Sequence, residues 1–146
     1  MSNERSVSVS RQITAEPAEI FAIVADASRH AEFDGSGTVR GTRGDDPQPL
    51  ALGDRFGMKM RLGVPYFMHS TVVEFEQDRL IAWAHFGKHR WRYTFEPNED
   101  GTLVTETFDW STALSPRFIE AVGYPERHRG SMEKTLERLE GLVTAG

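Results

Sequence analysis

The sequence predicts an α+β domain: one strand, two short helices, about six further antiparallel strands and a long terminal helix. Three observations carry that expectation. Between Thr38 and Trp110, successive runs alternate apolar and polar residues with period two, as strands with one buried face do. Short turn signals divide these runs, namely Gly63-Val64-Pro65, Gly87-Lys88 and the segment from Pro97 to Gly101, and such spacing favours successive hairpins. Beyond Trp110 the period becomes helical, with Met132, Leu136, Leu139 and Val143 recurring at spacings of four, three and four.

In chain order, Ser6 to about Ile13 alternates and reads as the first strand. Thr14 or Glu16 can then cap a helix whose first turn holds Pro17 and whose stripe is Ile20, Phe21, Ile23 and Val24. Asp26-Ala27-Ser28 opens a second brief helix through Phe33, ended by Asp34-Gly35-Ser36-Gly37. Thr38 to Thr42 is a short polar strand, and Gly44 to Pro49 a loop. From Asp54 to Leu62, Phe56, Met58, Met60 and Leu62 share one face, while Arg55, Lys59 and Arg61 share the other. From Tyr66 to Glu76, Phe67, His69, Thr71, Val73 and Phe75 share a parity that is expected to point inward, with Ser70, Glu74 and Glu76 outward. Leu80 to Phe86 is apolar on both parities, so the orientation of Trp83 and His85 stays open.

The densest stretch is Trp91 to Trp110. Two β-rich runs flank a turn marked by Pro97 and Asp100-Gly101. In the first, Trp91, Tyr93 and Phe95 oppose Arg92, Thr94 and Glu96. In the second, the apolar side holds Val104, Phe108 and Trp110, and sharing it is the carboxylate of Glu106. Thereafter Ser115-Pro116 starts a short helix with Phe118, Ile119 and Val122, interrupted by Gly123-Tyr124-Pro125. The long amphipathic helix follows, with Glu133, Lys134, Glu137, Arg138 and Glu140 on its wet face.

Composition narrows the function classes. At 146 residues the chain suits a single domain covering residues 1–146 that needs no metal or disulfide to hold its core. It has no cysteine, which removes thiol chemistry and Cys-type metal sites and fits a reducing, cytoplasmic setting. No leader stretch is read before Ser6, and no apolar run reaches the roughly 18 residues of a membrane span. With 17 basic against 22 acidic residues the net charge is −5, which argues against nucleic acid as a partner. His85 and His89 flank a turn without a carboxylate to complete a metal site, and neither a GxGxxG nor a GxSxG pattern is present. No metal and no cofactor are expected.

The order of elements, together with Ile13-Thr-Ala-Glu-Pro-Ala-Glu-Ile-Phe21, Gly53-Asp-Arg-Phe56, Leu80-Ile-Ala-Trp83, Trp91-Arg-Tyr-Thr-Phe-Glu-Pro97, Gly101-Thr102 and Thr105-Glu-Thr107, resembles the START-related superfamily. More narrowly it resembles the bacterial polyketide cyclase/dehydrase and lipid-transport-like proteins, relatives of the birch-pollen allergen fold. The resemblance covers nearly the whole chain and implies a helix-grip fold, in which a seven-stranded antiparallel sheet bends around the C-terminal helix and leaves a cavity between them. It also implies a lipid, aromatic or polyketide-like ligand. It supplies no catalytic residue that carries over to this sequence.

Glu106 is the first candidate for chemistry. If Phe95 pairs near Thr102, Glu106 lies beside Trp91, where desolvation would raise its pKa and equip it to exchange protons. The alternative is that a slipped register or a bulge turns it to solvent. His69 is the second, read as inward and able to face Glu106 as an acid/base partner; the plainer alternative is a histidine satisfied in the core or at a cavity rim. The expected walls of the cavity are Phe56, Met58, Met60, Phe67, Thr71, Trp83, Trp91, Tyr93, Val104, Phe108, Ile119, Val122 and Met132, with core packing as their alternative. Three readings follow: a binder of an apolar or amphipathic small molecule, a cyclase or dehydratase working through His69 and Glu106, and a protein-interaction module. A homodimer is compatible with each.

Overall fold

The structure, a computed structural model, describes residues 6–26, 29–33, 39–41, 49–62, 64–84, 89–111 and 124–144. The elements are β1 (Ser6–Ile13), α1 (Pro17–Val24), α2 (His30–Phe33), β2 (Val39–Gly41), β3 (Arg55–Leu62), β4 (Val64–Glu76), β5 (Leu80–Ala84), β6 (Arg90–Asn98), β7 (Gly101–Asp109) and α3 (Tyr124–Thr144). Among the described residues the strands form one seven-stranded antiparallel sheet in the order β1-β7-β6-β5-β4-β3-β2. Strands β2 to β7 are therefore sequential neighbours, and β1 returns beside β7 to complete the sheet. Helix α3 packs against β1 and β7, with α1 and α2 also touching it, so among the described residues the helices cover one sheet face.

Sequence pattern accounts for most of this. Pro17 sits in the first turn of α1, where its missing N–H costs nothing, and Ile20, Phe21, Ile23 and Val24 are all buried. Glu16 is the residue before that turn, in extended conformation, but its side chain makes no capping bond. Pro125 plays the same part in α3, which begins at Tyr124; the short helix expected from Ser115, with Gly123 at its end, lies outside the described residues. Met132, Thr135, Leu136 and Leu139 are buried at the i, i+3, i+4, i+7 positions of one α3 face. Each fully buried leucine contributes about 1.5–3 kcal/mol. Arg11 of β1 closes the helix end onto the sheet through two bonds to Glu140 Oε1, at 2.9 and 2.7 Å.

The β6–β7 hairpin is closed by a two-residue turn, Glu99-Asp100, with Asn98 opposite Gly101. The Asp100 N–H donates to Asn98 Oδ1 at 3.1 Å, an Asx turn. Gly101 has φ +129°, and a Cβ there would collide with the carbonyl oxygen of Ile13 on β1, so only glycine fits where three chain segments meet.

Strand β4 departs from the expected parity. Among its described side chains, Ser70 and Val72 are buried, while His69 is exposed and Thr71 half-buried. The pairing with β5 runs Thr71 with Ala84 and Val72 with Trp83, then skips to Glu74 with Ala82 and Phe75 with Ile81. One extra residue at this bulge reverses every side chain on one side of it. Phe75, beyond the bulge, does pack into the core, and its ring meets Phe21 edge-on at 5.7 Å. Reading back from Phe75 with unbroken period two thus assigns His69 to the wrong face.

On the outer face Glu74 accepts from Arg90 at 2.7 Å and from Arg92 at 2.8 and 2.7 Å, and Arg92 reaches Asp109 at 3.2 Å. The bonds from Arg92 and Arg90 hold the Glu74 carboxyl below its ordinary pKa. Burial pushes Asp109 upward, but bonds from the Ser111 hydroxyl and N–H and from Arg92 leave it lowered. Among the described residues no helix is long and apolar enough to cross a membrane.

Candidate functional site

The inner face of the sheet is built of rungs. Ile81, Tyr93, Glu106 and Val9 lie opposite one another across β5, β6, β7 and β1, and the adjacent rung is Trp83, Trp91, Phe108 and Val7. Cross-strand partners share a face, so Glu106 stands on the same side as the rings around it. The register differs by two from the one assumed in the sequence reading: Phe95 pairs with Val104, and Glu106 pairs with Tyr93, not Trp91. A shift of two preserves the face, which is why Glu106 points inward even though its neighbour changes.

Glu106 is 3% exposed, as is Tyr93. The Tyr93 hydroxyl donates to Glu106 Oε2 at 2.8 Å, and Oε1 is buried as well. A hydrogen bond to a charged acceptor contributes about 1.5–3 kcal/mol, whereas taking a carboxylate out of water costs more unless it is well paired. A core selected only for packing has no need of such a group.

The apolar residues themselves divide at this rung. One buried cluster includes Ile20, Phe21, Phe33, Phe56, Trp83, Tyr93, Val104, Leu136 and Leu139; the other comprises Val7, Phe108, Trp110 and Met132. Val9 and Trp91, both only partly buried, pack against each of them. Glu106 therefore lies on a seam in the core, and Trp91, on the adjacent rung, is only partly buried. All three tryptophans of the chain are on this face: Trp83 is 5.5 Å from Tyr93 between ring centres, Trp91 is 4.7 Å from Phe108, and Trp110 is 5.6 Å from Phe108.

Two histidines join the site that the sequence reading did not place there. His30 is buried, stacked on Trp83 at 4.7 Å, with Nε2 2.9 Å from the Val24 carbonyl oxygen at the end of α1. Its local sequence, His-Ala-Glu-Phe on a single helical turn, carries no periodic signal that could have marked it. His89 is half-buried with its ring 5.4 Å from Phe108. Burial lowers its pKa, so the neutral imidazole prevails at pH 7.

Of the residues singled out from sequence, the structure brings Phe56, Trp83, Trp91, Tyr93, Val104, Glu106, Phe108 and Met132 to the inner side. His69 stands apart: it pairs with Gly57 and is exposed, on the parity opposite to buried Ser70. Thr71 shares that parity. The side chains of Met58, Met60 and Phe67, and Ile119 and Val122 altogether, lie outside the described residues.

Comparison with known proteins adds a family. The model of the family described as polyketide cyclase / dehydrase and lipid transport matches residues 4–144. The chain is 41% identical over 146 residues to an uncharacterised protein of Mycobacterium tuberculosis, Rv0088, covering 96% of this chain and 65% of that one. It thus spans about 65% of the length of this curated relative. Among solved structures, protein NE0264 from Nitrosomonas europaea superposes with a TM-score of 0.75 at 13% identity, over 99% of this chain and 97% of that one. The AHSA1-like protein from Aeromonas hydrophila gives a TM-score of 0.71 at 19% identity, over 96% and 92% respectively. These two likenesses are likenesses of fold.

Proposed function

The chain belongs to the polyketide cyclase/dehydrase and lipid transport family, and from that premise we propose that it binds a small apolar or amphipathic molecule between the inner sheet face and α3. The observation that carries this reading is the seam: a buried carboxylate held by a phenol, set between two apolar clusters, with a partly buried tryptophan on the adjacent rung. Apolar walls with a few placed polar groups are what small-molecule sites are made of. Tyr93 and Glu106 are each only 3% exposed, so a ligand reaches them through a rearrangement of the side chains around them.

An acid/base reaction shared by His69 and Glu106 finds no support in this arrangement, because two such groups must reach one substrate position and these face opposite sides of the sheet. Binding is the reading that the inner face supports best.

The test uses N-phenyl-1-naphthylamine, an apolar fluorophore, titrated into the protein while tryptophan emission and probe emission are followed. Saturable binding in the micromolar range, with one probe per chain by native mass spectrometry, is expected. Emission that rises without saturation, or no change in any tryptophan signal, would sink the proposal.

A further inference from the structure

Charge is distributed unevenly along the strands of the sheet. Strand β4 carries its 13 residues, about 40 Å, from Val64 at one end to Glu76 at the other. At the Glu76 end lie the β4–β5 turn, with Glu76 and Asp78, and the β6–β7 turn, with Glu99 and Asp100. Thr102 pairs with both Pro97 and Ile13, which brings the start of α1, with Glu16 and Glu19, to the same end. These acidic residues are exposed, Asp78 excepted, which is half-buried. The segments 14–19, 76–80 and 96–101 that hold them contain one cation, Arg79.

The opposite end has the reverse character. Pairing of β4 with β5 begins at Thr71, whereas its pairing with β3 continues to Val64, seven residues or about 20 Å further along, so the β3–β4 hairpin extends past the end of β5. From Arg55 to Ser70 this arm contains Arg55, Lys59 and Arg61 and no acidic residue, in a chain whose net charge is −5. Its turn reads Leu62-Gly63-Val64-Pro65-Tyr66-Phe67-Met68, and Val64 is 68% exposed. A lone exposed valine needs no explanation, but this one lies in an uncharged run beside two cations, at the pole remote from the acidic turns.

We propose that the β3–β4 turn docks on an anionic lipid bilayer, with Val64 entering the headgroup layer, Lys59 and Arg61 supplying the attraction, and the acidic pole turned away. This goes beyond the ligand-binding reading and does not depend on it. Aromatic residues such as Tyr66 and Phe67 favour the membrane interface, and each Lys or Arg near an anionic surface strengthens binding about fivefold. The separation of charge orients the molecule on approach, arm first. A second copy docking arm to arm would set cations against cations, and a nucleic acid would use the cations but leave the exposed Val64 without a role.

The chain has no cysteine, so Val64→Cys and Glu99→Cys each provide a single attachment point for the environment-sensitive fluorophore NBD. With phosphatidylcholine vesicles containing about 30 mol% phosphatidylglycerol, emission is expected to rise saturably from the label at 64 and to stay unchanged from the label at 99. Unlabelled wild-type protein should sediment with these vesicles at least about tenfold more tightly than with phosphatidylcholine alone, and about 0.5 M salt should weaken the binding. Val64→Asp, and Lys59→Gln combined with Arg61→Gln, should each lower the affinity about tenfold or more. Circular dichroism and the urea midpoint establish that each variant is folded, and the wild-type preference for anionic vesicles stands as a test by itself. No binding of the wild type to anionic vesicles, equal affinity for both vesicle types, an emission rise at 99 in place of 64, or a folded Val64→Asp variant that binds like the wild type overturns the inference. So does self-association that Val64→Asp abolishes in the absence of any vesicle binding, which assigns the arm to a second copy. N-phenyl-1-naphthylamine binding, measured without vesicles, stands or fails separately from each of these results.

Discussion

Replacing Tyr93 and Glu106 singly and together separates a residue kept for stability from one kept for a ligand. Tyr93→Phe deletes the hydroxyl that donates to Oε2 and leaves a carboxylate buried with that bond gone, a loss of about 1.5–3 kcal/mol. Glu106→Leu removes the acceptor of that bond from a tyrosine only 3% exposed, at about 1–3 kcal/mol, offset by the desolvation that the carboxyl group no longer suffers. In the double variant neither penalty remains, and swapping buried charged groups for apolar ones of similar size is commonly neutral or stabilising by about 1–4 kcal/mol. Urea unfolding followed by emission of Trp83, Trp91 and Trp110 reports it directly, since all three sit on this face. With a slope of about 2 kcal/mol/M, Tyr93→Phe lowers the midpoint by about 1 M and the double variant returns it to the wild-type value or above. A double variant as weak as Tyr93→Phe or weaker would show that Glu106 supplies net stability, and the argument that it is retained for a ligand would fall.

Other outcomes follow from the same geometry. Trp91→Ala should weaken N-phenyl-1-naphthylamine binding about tenfold or more while costing less stability than Phe108→Ala, which empties a fully buried site and costs about 3–5 kcal/mol; fluorescence titration and urea melts on both variants check the contrast. Gly101→Ala forces a Cβ into the Ile13 carbonyl at φ +129° and should lower stability by more than about 3 kcal/mol, read as a urea midpoint or failure to fold. Acid should weaken the fold in two windows. Burial lowers the pKa of His89 in the folded state, so the unfolded chain takes up protons first and stability declines as pH falls below the ordinary value of 6.5. Glu74 is lowered by Arg92 and Arg90, so its contribution is complete above its ordinary 4.5 and is lost as pH drops through the folded value. His89→Gln should flatten the first decline and Glu74→Gln the second, each by about 1 kcal/mol or less because these groups are partly solvated.

How much of the site the sequence revealed depended on how far each residue lay from a break in the local pattern. Trp91, Tyr93, Glu106 and Phe108 lie on two strands with unbroken alternation joined by a two-residue turn, so their common face was legible even though the pairing was off by two. His69 lies before the β4 bulge, and nothing in Thr71-Val72-Val73-Glu74 announces an extra residue there, since apolar residues fall on both parities. Trp83 belongs to a strand with apolar residues on both parities, and its pairing with Val72 and Trp91 settles a direction that local sequence left open. His30 was invisible because its burial arises from rings contributed by Phe56 and Trp83, far away along the chain.

By itself, the sequence determined the class of fold, the order of its elements and the presence of one carboxylate on an apolar strand face. These depend on periods of two and 3.6 residues, which short-range sterics and solvent impose on any half-buried strand or helix. Only the tertiary structure decided that Glu106 meets Tyr93, that His69 faces away, and that His30 and His89 join the inner face. Those facts depend on register, on a bulge and on contacts between distant segments, and their free energies come from the assembled sheet and helix. No local window of sequence contains them.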